Sequence, residues 1–129
     1  MSDLWGDLPN TDDAKNPKQL LQEQAEKLAE KTGGVLRGSV GTSVEGNTIA
    51  MELDVVAPYI NNYSVTVVRV THNELIFPLY VHRQLYEDHD YGEPDECRTF
   101  AEFENSLKRI LQSSKVRAVI ESLLIQSKE

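Results

Sequence analysis

Residues 48–83 read TIAMELDVVAPYINNYSVTVVRVTHNELIFPLYVHR, and no other stretch of the chain is as dense in β-branched and aromatic residues. Its first residues alternate between apolar and polar side chains, which is the period of a strand with one buried and one exposed face. Pro58 ends or bends this strand because proline has no N–H to donate, and Asn61 and Asn62 tolerate the dihedral angles of a turn. The stretch therefore predicts a hairpin at the centre of a sheet.

The two strands that follow are less regular. Residues 63–71 form the second strand of the hairpin, but the apolar set changes face between Val67 and Val68. Either a β-bulge shifts the phase or both faces are covered at this point, and we favour partial cover by a helix. Residues 75–82 predict a further strand in which Pro78 indicates an edge position. We therefore expect the sheet to stop there.

A weaker strand precedes the central hairpin. Residues 35–44 have strand character that is diluted by Gly38 and Gly41, and Glu45-Gly46-Asn47 predicts the turn that follows. These glycines do not form a phosphate-binding loop, because no Lys-Ser/Thr pair follows and the stretch opens no helix. They are better interpreted as bulges or as places where backbones approach closely.

Three amphipathic segments predict helices, each with a recognisable beginning. These beginnings are Asn16-Pro17, Thr99 with Glu102 three residues later, and Ser113-Ser114, and the first helix ends at Gly33-Gly34. The prediction is an α+β fold with an N-terminal helix, a four-stranded antiparallel sheet and two C-terminal helices packed on one sheet face. Residues 1–15 are expected to be a flexible acidic leader, and residues 16–129 a single domain.

Composition narrows the classes of function. The formal net charge is −8, with 21 acidic and 13 basic residues, which argues against binding to the phosphate backbone of nucleic acids. The single cysteine excludes an intramolecular disulfide, and no stretch resembles a signal peptide or a membrane-spanning segment. We expect a cytoplasmic protein that binds neither nucleic acid nor membranes.

Two acidic segments are the candidate binding sites. The first is the leader, where Trp5 either docks on a partner protein or folds back onto the chain's own sheet. The second is the loop of residues 84–98, which is long enough to be functional or disordered. Its acidic residues would complement a basic protein, and its two tyrosines would anchor the contact. These candidate residues are Tyr86, Glu87, Asp88, Asp90, Tyr91, Glu93, Asp95 and Glu96.

Catalytic chemistry finds little support in the sequence. The acidic loop has no glycine or bidentate glutamate where a calcium-binding EF-hand loop needs them, and only His89 and Cys97 could serve zinc. Negative neighbours would raise the pKa of Cys97, and no Gly-x-Ser-x-Gly motif is present. Glu52 and Asp54 share one face of a strand, where a solvated polar face is the simpler interpretation. We predict no catalytic residue, no metal site and no cofactor.

The favoured function is a non-enzymatic binding module, in its most concrete form a small acidic inhibitor or immunity-type protein that covers a basic surface of a partner. One alternative is an adaptor or secretion-type chaperone that binds an apolar partner segment, with a homodimer through the open sheet face or the last helix as a variant. The other alternative is a metal-assisted hydrolase that uses His89 and the carboxylates of residues 87–96.

Overall fold

The computed structural model describes residues 2–85 and 92–128, which form three helices and one five-stranded antiparallel sheet, an α+β architecture. The strands are ordered β1-β2-β3-β4-β5 across the sheet. No helix in these ranges is both long enough and apolar enough to cross a membrane. In chain order the elements are α1 (Pro17–Lys31), β1 (Arg37–Glu45), β2 (Thr48–Ala57), β3 (Tyr63–His72), β4 (Leu79–Arg83), β5 (Asp95–Cys97), α2 (Phe100–Leu111) and α3 (Ser114–Gln126).

The helices begin at the capping residues that the sequence predicts. The side chain of Asn16 accepts a hydrogen bond from the N–H of Lys18, and the hydroxyl of Thr99 accepts one from the N–H of Glu102. Ser113 caps α3 in the same way through the N–H of Val116. Each bond satisfies a backbone donor that has no partner inside its helix, which is why these residue types fix the first turn.

The predicted turns are also present. Gly33 and Gly34 follow α1 with φ angles of 60° and 82°, which residues with a Cβ rarely adopt, and they end the helix. Asn61 and Asn62 take φ angles of 54° and 58° in the connection between β2 and β3. The turn from β1 to β2 places Gly46 at its first central position. Local residue chemistry therefore sets the connections of the first three strands.

The prediction of four strands is wrong, because the sheet has a fifth strand within the stretch that was expected to be a loop. β5 pairs antiparallel with β4, with Val81 opposite Asp95 and Leu79 opposite Cys97. β4 is therefore not at the edge of the sheet. Pro78 lies just before its first residue and removes no hydrogen bond between strands. Only three residues form β5, too few to show a strand period in the sequence.

The change of face within β3 is a β-bulge, so the favoured explanation of partial helix cover is wrong. Leu53 of β2 lies opposite Val68, whereas the next residue, Asp54, lies opposite Thr66. Val67 is the extra residue, and it is buried together with Val68. The bulge lets both valines contribute to the apolar core, which explains why two adjacent apolar residues occur in a strand that otherwise alternates.

The core is a single cluster built from one set of alternating strand residues and from all three helices. β2 contributes Met51, Leu53 and Val55 to this cluster, and the helices contribute buried side chains from their apolar stripes. The helix residues in this cluster are Leu21, Phe103, Leu107, Ile110 and Leu123. α1 approaches β1 so closely that a Cβ on Gly38 would lie 2.5 Å from the Cα and Cβ of Ala25. This glycine therefore permits close backbone approach, one of the two expectations from the sequence.

Candidate binding cleft

Most of the predicted acidic site lies outside the described residues. This holds for Tyr86, Glu87, Asp88, Asp90 and Tyr91, and also for His89, which the hydrolase alternative needs. The described ranges contain no group of three or more His, Cys, Asp or Glu side chains that could hold a metal ion.

The three predicted acids that are described differ in their surroundings. Asp95 accepts a hydrogen bond of 2.7 Å from the buried hydroxyl of Ser106 and one of 3.1 Å from Arg109. These contacts attach β5 to α2. Glu96 pairs with Arg98 at 3.4 Å, while Glu93 is exposed. Asp95 therefore has a structural role, and two of the three carboxylates are directed toward cations of their own chain.

Trp5 does not contact the sheet. Its side chain is 81% exposed, and its neighbours Leu4 and Leu8 are 92% and 70% exposed. The prediction that Trp5 folds back onto its own sheet is therefore not what the structure shows. Within the described residues, the hydrogen bonds around Trp5 are local, such as that from the Trp5 N–H to the Asp3 carboxylate.

Cys97 is a buried thiol in β5. Burial raises its pKa, and the nearby carboxylates of Asp95 and Glu102 raise it further. The sequence predicted that negative neighbours would raise the pKa of Cys97, and burial is a larger cause of this rise than those neighbours.

The sheet face opposite the core carries polar side chains that bind one another. Arg69 of β3 pairs with Glu45 of β1 and with Glu52 of β2, both at 3.0 Å. His82 lies opposite Arg69 in the sheet, and its Nε2 is 2.9 Å from the hydroxyl of Thr71. Burial lowers the pKa of His82, and the charge of Arg69 lowers it further, so the imidazole is neutral at pH 7.

On the core side of the sheet, α1 and α3 leave a gap that forms an apolar cleft of about 460 Å³. Its floor is formed by Leu53, Val55 and Val67, the last of which is the bulge residue. Its walls are mainly apolar side chains of the helices, beside the polar Gln24, Thr32 and Gln112. The apolar wall residues are Ala25 and Leu28 from α1, Leu111 from α2, and Val116, Ile120 and Leu124 from α3. Protein interiors are normally close-packed, and a cleft of this size lies within the range of ligand-binding sites.

Cations surround this apolar cleft in a chain that is acidic overall. Lys27 and Lys31 reach it from α1, and Arg117 reaches it from α3. Lys27 pairs with Glu30 at 3.5 Å on the exposed surface. Lys31 and Arg117 make no ion pair with any residue in the described ranges. The cleft therefore combines apolar walls with positive charge at its rim, and this combination fits an apolar ligand that carries carboxylates.

The apolar stripes that form the cleft walls are visible in the sequence, where they predict helices packed on the sheet and do not predict a cleft between α1 and α3. The stripe of α1 contains Ala25 and Leu28, and that of α3 contains Val116, Ile120 and Leu124. A stripe shows which side of a helix is apolar, but not how far apart two helices lie. The only available signal was the position of Lys27, Lys31 and Arg117 close to these stripes.

No family model, curated protein or solved structure matches this chain. The geometry and chemistry of the cleft are therefore the basis for assigning a function.

Proposed function

We propose that this protein is a non-enzymatic binding module that holds a partner-protein segment in the cleft between α1 and α3. The segment has apolar side chains with acidic residues beside them. This is the adaptor or chaperone-type function predicted as an alternative from the sequence, which placed the site on the open sheet face or the last helix; here the last helix, α3, forms one wall of the site. The single observation that carries the proposal is the apolar cleft with the cations at its rim.

The contrast between apolar walls and a charged rim supports a peptide ligand. Large apolar side chains that enter the cleft would cover the half-buried wall residues Leu28, Ile120 and Leu124, which favours binding by about 25 cal/mol for each Å² of apolar surface removed from water. Carboxylates beside them would approach Lys31 and Arg117, which increases the rate of encounter and selects against basic segments.

Selection from a displayed library of short random peptides tests the proposal on the full-length chain. We expect enrichment of peptides with apolar residues next to Asp or Glu. Ile120→Asp places a charge in the cleft wall and should weaken binding of a selected peptide at least about tenfold, which is about 1.4 kcal/mol. Fluorescence anisotropy of the labelled peptide measures this change.

Ile125→Asp is the matched control, because Ile125 lies on the same helix, is 56% exposed and does not line the cleft. It should leave the affinity unchanged. Leu124→Asp repeats the test from a second wall residue, and circular dichroism checks that each variant is folded. A selected peptide that binds the two cleft variants as tightly as the unmodified protein would exclude the cleft as its site.

The acidic-inhibitor function stays a prediction. Its surface depends mainly on residues outside the described ranges, and Asp95 and Glu96 already pair with Arg109 and Arg98. Binding of a basic partner that is lost when Glu93 and the acids of residues 87–90 are reversed in charge would support it. The two functions are separable, since this change leaves the cleft intact.

A further inference from the structure

The leader and the cleft both have apolar side chains that are accessible to solvent. Leu4, Trp5 and Leu8 project into solvent, although large apolar side chains in a short segment are costly to leave exposed together. Asp3 and Asp7 alternate with them along the sequence. The leader therefore has the composition that the cleft requires of a ligand, with apolar side chains for its walls and carboxylates for Lys31 and Arg117.

A groove made of three neighbouring depressions, which share lining residues, leads from the base of the leader to the cleft. It begins at the N-terminus of α1, where the Nζ of Lys15 lies 5.2 Å from the ring centre of Phe100. The next depression shares Leu20 and Glu104 with the first. It also shares Gln24, Leu111 and Gln112 with the cleft itself. A chain that turns back at Lys15 could follow these neighbouring depressions along α1 to the cleft.

The length of the leader is sufficient for this path. The twelve residues from Trp5 to Pro17 span up to about 40 Å when extended. Along α1, the eleven residues from Pro17 to Leu28 cover about 17 Å. Trp5 can therefore reach the cleft with slack in the connection. A short flexible connection also gives an effective concentration in the millimolar range, so that even weak affinity fills the site.

We propose that the Leu4-Trp5-Leu8 segment is an internal ligand of the cleft, which competes with the partner segment for the same apolar walls. This inference rests on the proposed function and names a regulator of it. The undocked leader seen in the structure is the open state, and docking along the groove gives the closed state. If the leader occupies the cleft about 90% of the time, a partner segment binds about tenfold more weakly than to the open state.

The single tryptophan of the chain makes docking directly measurable. We expect the fluorescence of Trp5 to be blue-shifted and protected from acrylamide quenching in the full-length protein, relative to a peptide of residues 1–15. Lys31→Glu/Arg117→Glu should remove this protection. Lys18→Glu/Lys115→Glu changes the net charge by the same amount on the same two helices, outside the cleft, and should retain it. Adding Asp3→Lys/Asp7→Lys to the cleft variant should restore protection.

The concentration dependence distinguishes the possible occupants. Protection that is constant on dilution, in a monomer by analytical ultracentrifugation, supports docking within one chain. Protection that disappears on dilution together with a dimer would overturn it in favour of leader exchange between two copies. Quenching equal to that of the free peptide at all concentrations would also overturn it.

A full-length variant with Leu4→Ser/Trp5→Ser/Leu8→Ser separates this inference from the proposed function. Its binding to a library-selected peptide should be severalfold tighter than that of the unmodified chain, because the internal competitor is removed. Equal affinity would reject the internal ligand while leaving the cleft as a partner site. Failure of every peptide to bind either protein would reject the proposed function itself.

Discussion

The two faces of the sheet differ in the interactions of their side chains. On the open face, Arg69 pairs with Glu45 and Glu52, and His82 contacts Thr71, whereas the buried Oδ1 of Asp54 has no hydrogen-bond partner among the described residues. On the helical face, Leu53 and Val55 are buried at the bottom of the cleft, whereas apolar wall residues such as Leu28 and Ile120 are only half-buried. The charged groups of the polar face mostly pair with one another, whereas apolar side chains in the cleft walls stay partly accessible.

This difference indicates where binding energy is available. A polar cluster that is already paired gains little from a partner, since new contacts must replace existing ones. An uncovered apolar surface gains from any ligand that removes it from water. This difference favours the cleft, rather than the open face, as the location of the proposed binding site.

The largest expected effect comes from disturbing the contact that positions α1. Gly38→Ala would place a Cβ 2.5 Å from Ala25, so α1 has to shift away from β1. Overpacking of this kind costs about 1–3 kcal/mol, and urea unfolding measures it. Because Ala25 and Leu28 form one wall of the cleft, peptide binding should weaken as well.

Gly41→Ala is the control on the same strand, because no described atom lies within 4 Å of the added Cβ. It should change stability by no more than about 0.5 kcal/mol, in the stabilising direction, since glycine is entropically costly within a strand. Equal effects of the two substitutions would contradict the close contact of α1 with β1.

An intermediate effect is expected from Arg69→Met on the open face. It removes both ion pairs of a side chain that is 25% exposed, and should lower the free energy of unfolding by about 1 kcal/mol. Arg98→Met removes a single pair of a side chain that is 74% exposed and should cost about 0 kcal/mol. Peptide binding to the cleft should be unchanged in both variants, and a loss with Arg69→Met would break the separation of the two faces.

The smallest effect concerns pH. Burial, and to a lesser degree Arg69, lower the pKa of His82 from its usual 6.5, so the unfolded chain binds a proton more readily than the folded chain. The contribution of this residue is therefore fully present above pH 6.5, and stability falls as the pH drops through 6.5. His82→Gln should reduce the slope of the unfolding free energy against pH just below pH 6.5, where carboxylates titrate little. Identical slopes for the two proteins would show that His82 is not responsible.

The parts of the fold that were predictable have local causes. The helix starts at Asn16, Thr99 and Ser113 follow from side-chain bonds to a backbone N–H two or three residues away. The turn at Asn61 and Asn62 follows from dihedral angles that few residues accept. The interacting groups lie within a few residues of one another, so a short stretch of sequence is enough to predict these features.

The errors have non-local causes. β5 exists because β4 offers it a partner, and its three residues carry no period of their own. The sequence could not decide between a β-bulge at Val67 and cover of both sheet faces, because the choice depends on how Val67 and Val68 pack in the core. Asp95 was a candidate binding residue, but Ser106 and Arg109 of α2 bind it, eleven and fourteen residues away in the chain.

The sequence by itself determined the α+β class, the beginnings of the helices and the turns between the first three strands, because neighbouring residues decide these features. Only the tertiary structure decided the fifth strand, the structural role of Asp95 and the cleft between α1 and α3. Apolar stripes indicate which sides of two helices face the sheet, but the distance between the helices depends on contacts such as that of Gly38 with Ala25. Such contacts join residues that are far apart in sequence, and the cleft is their combined result.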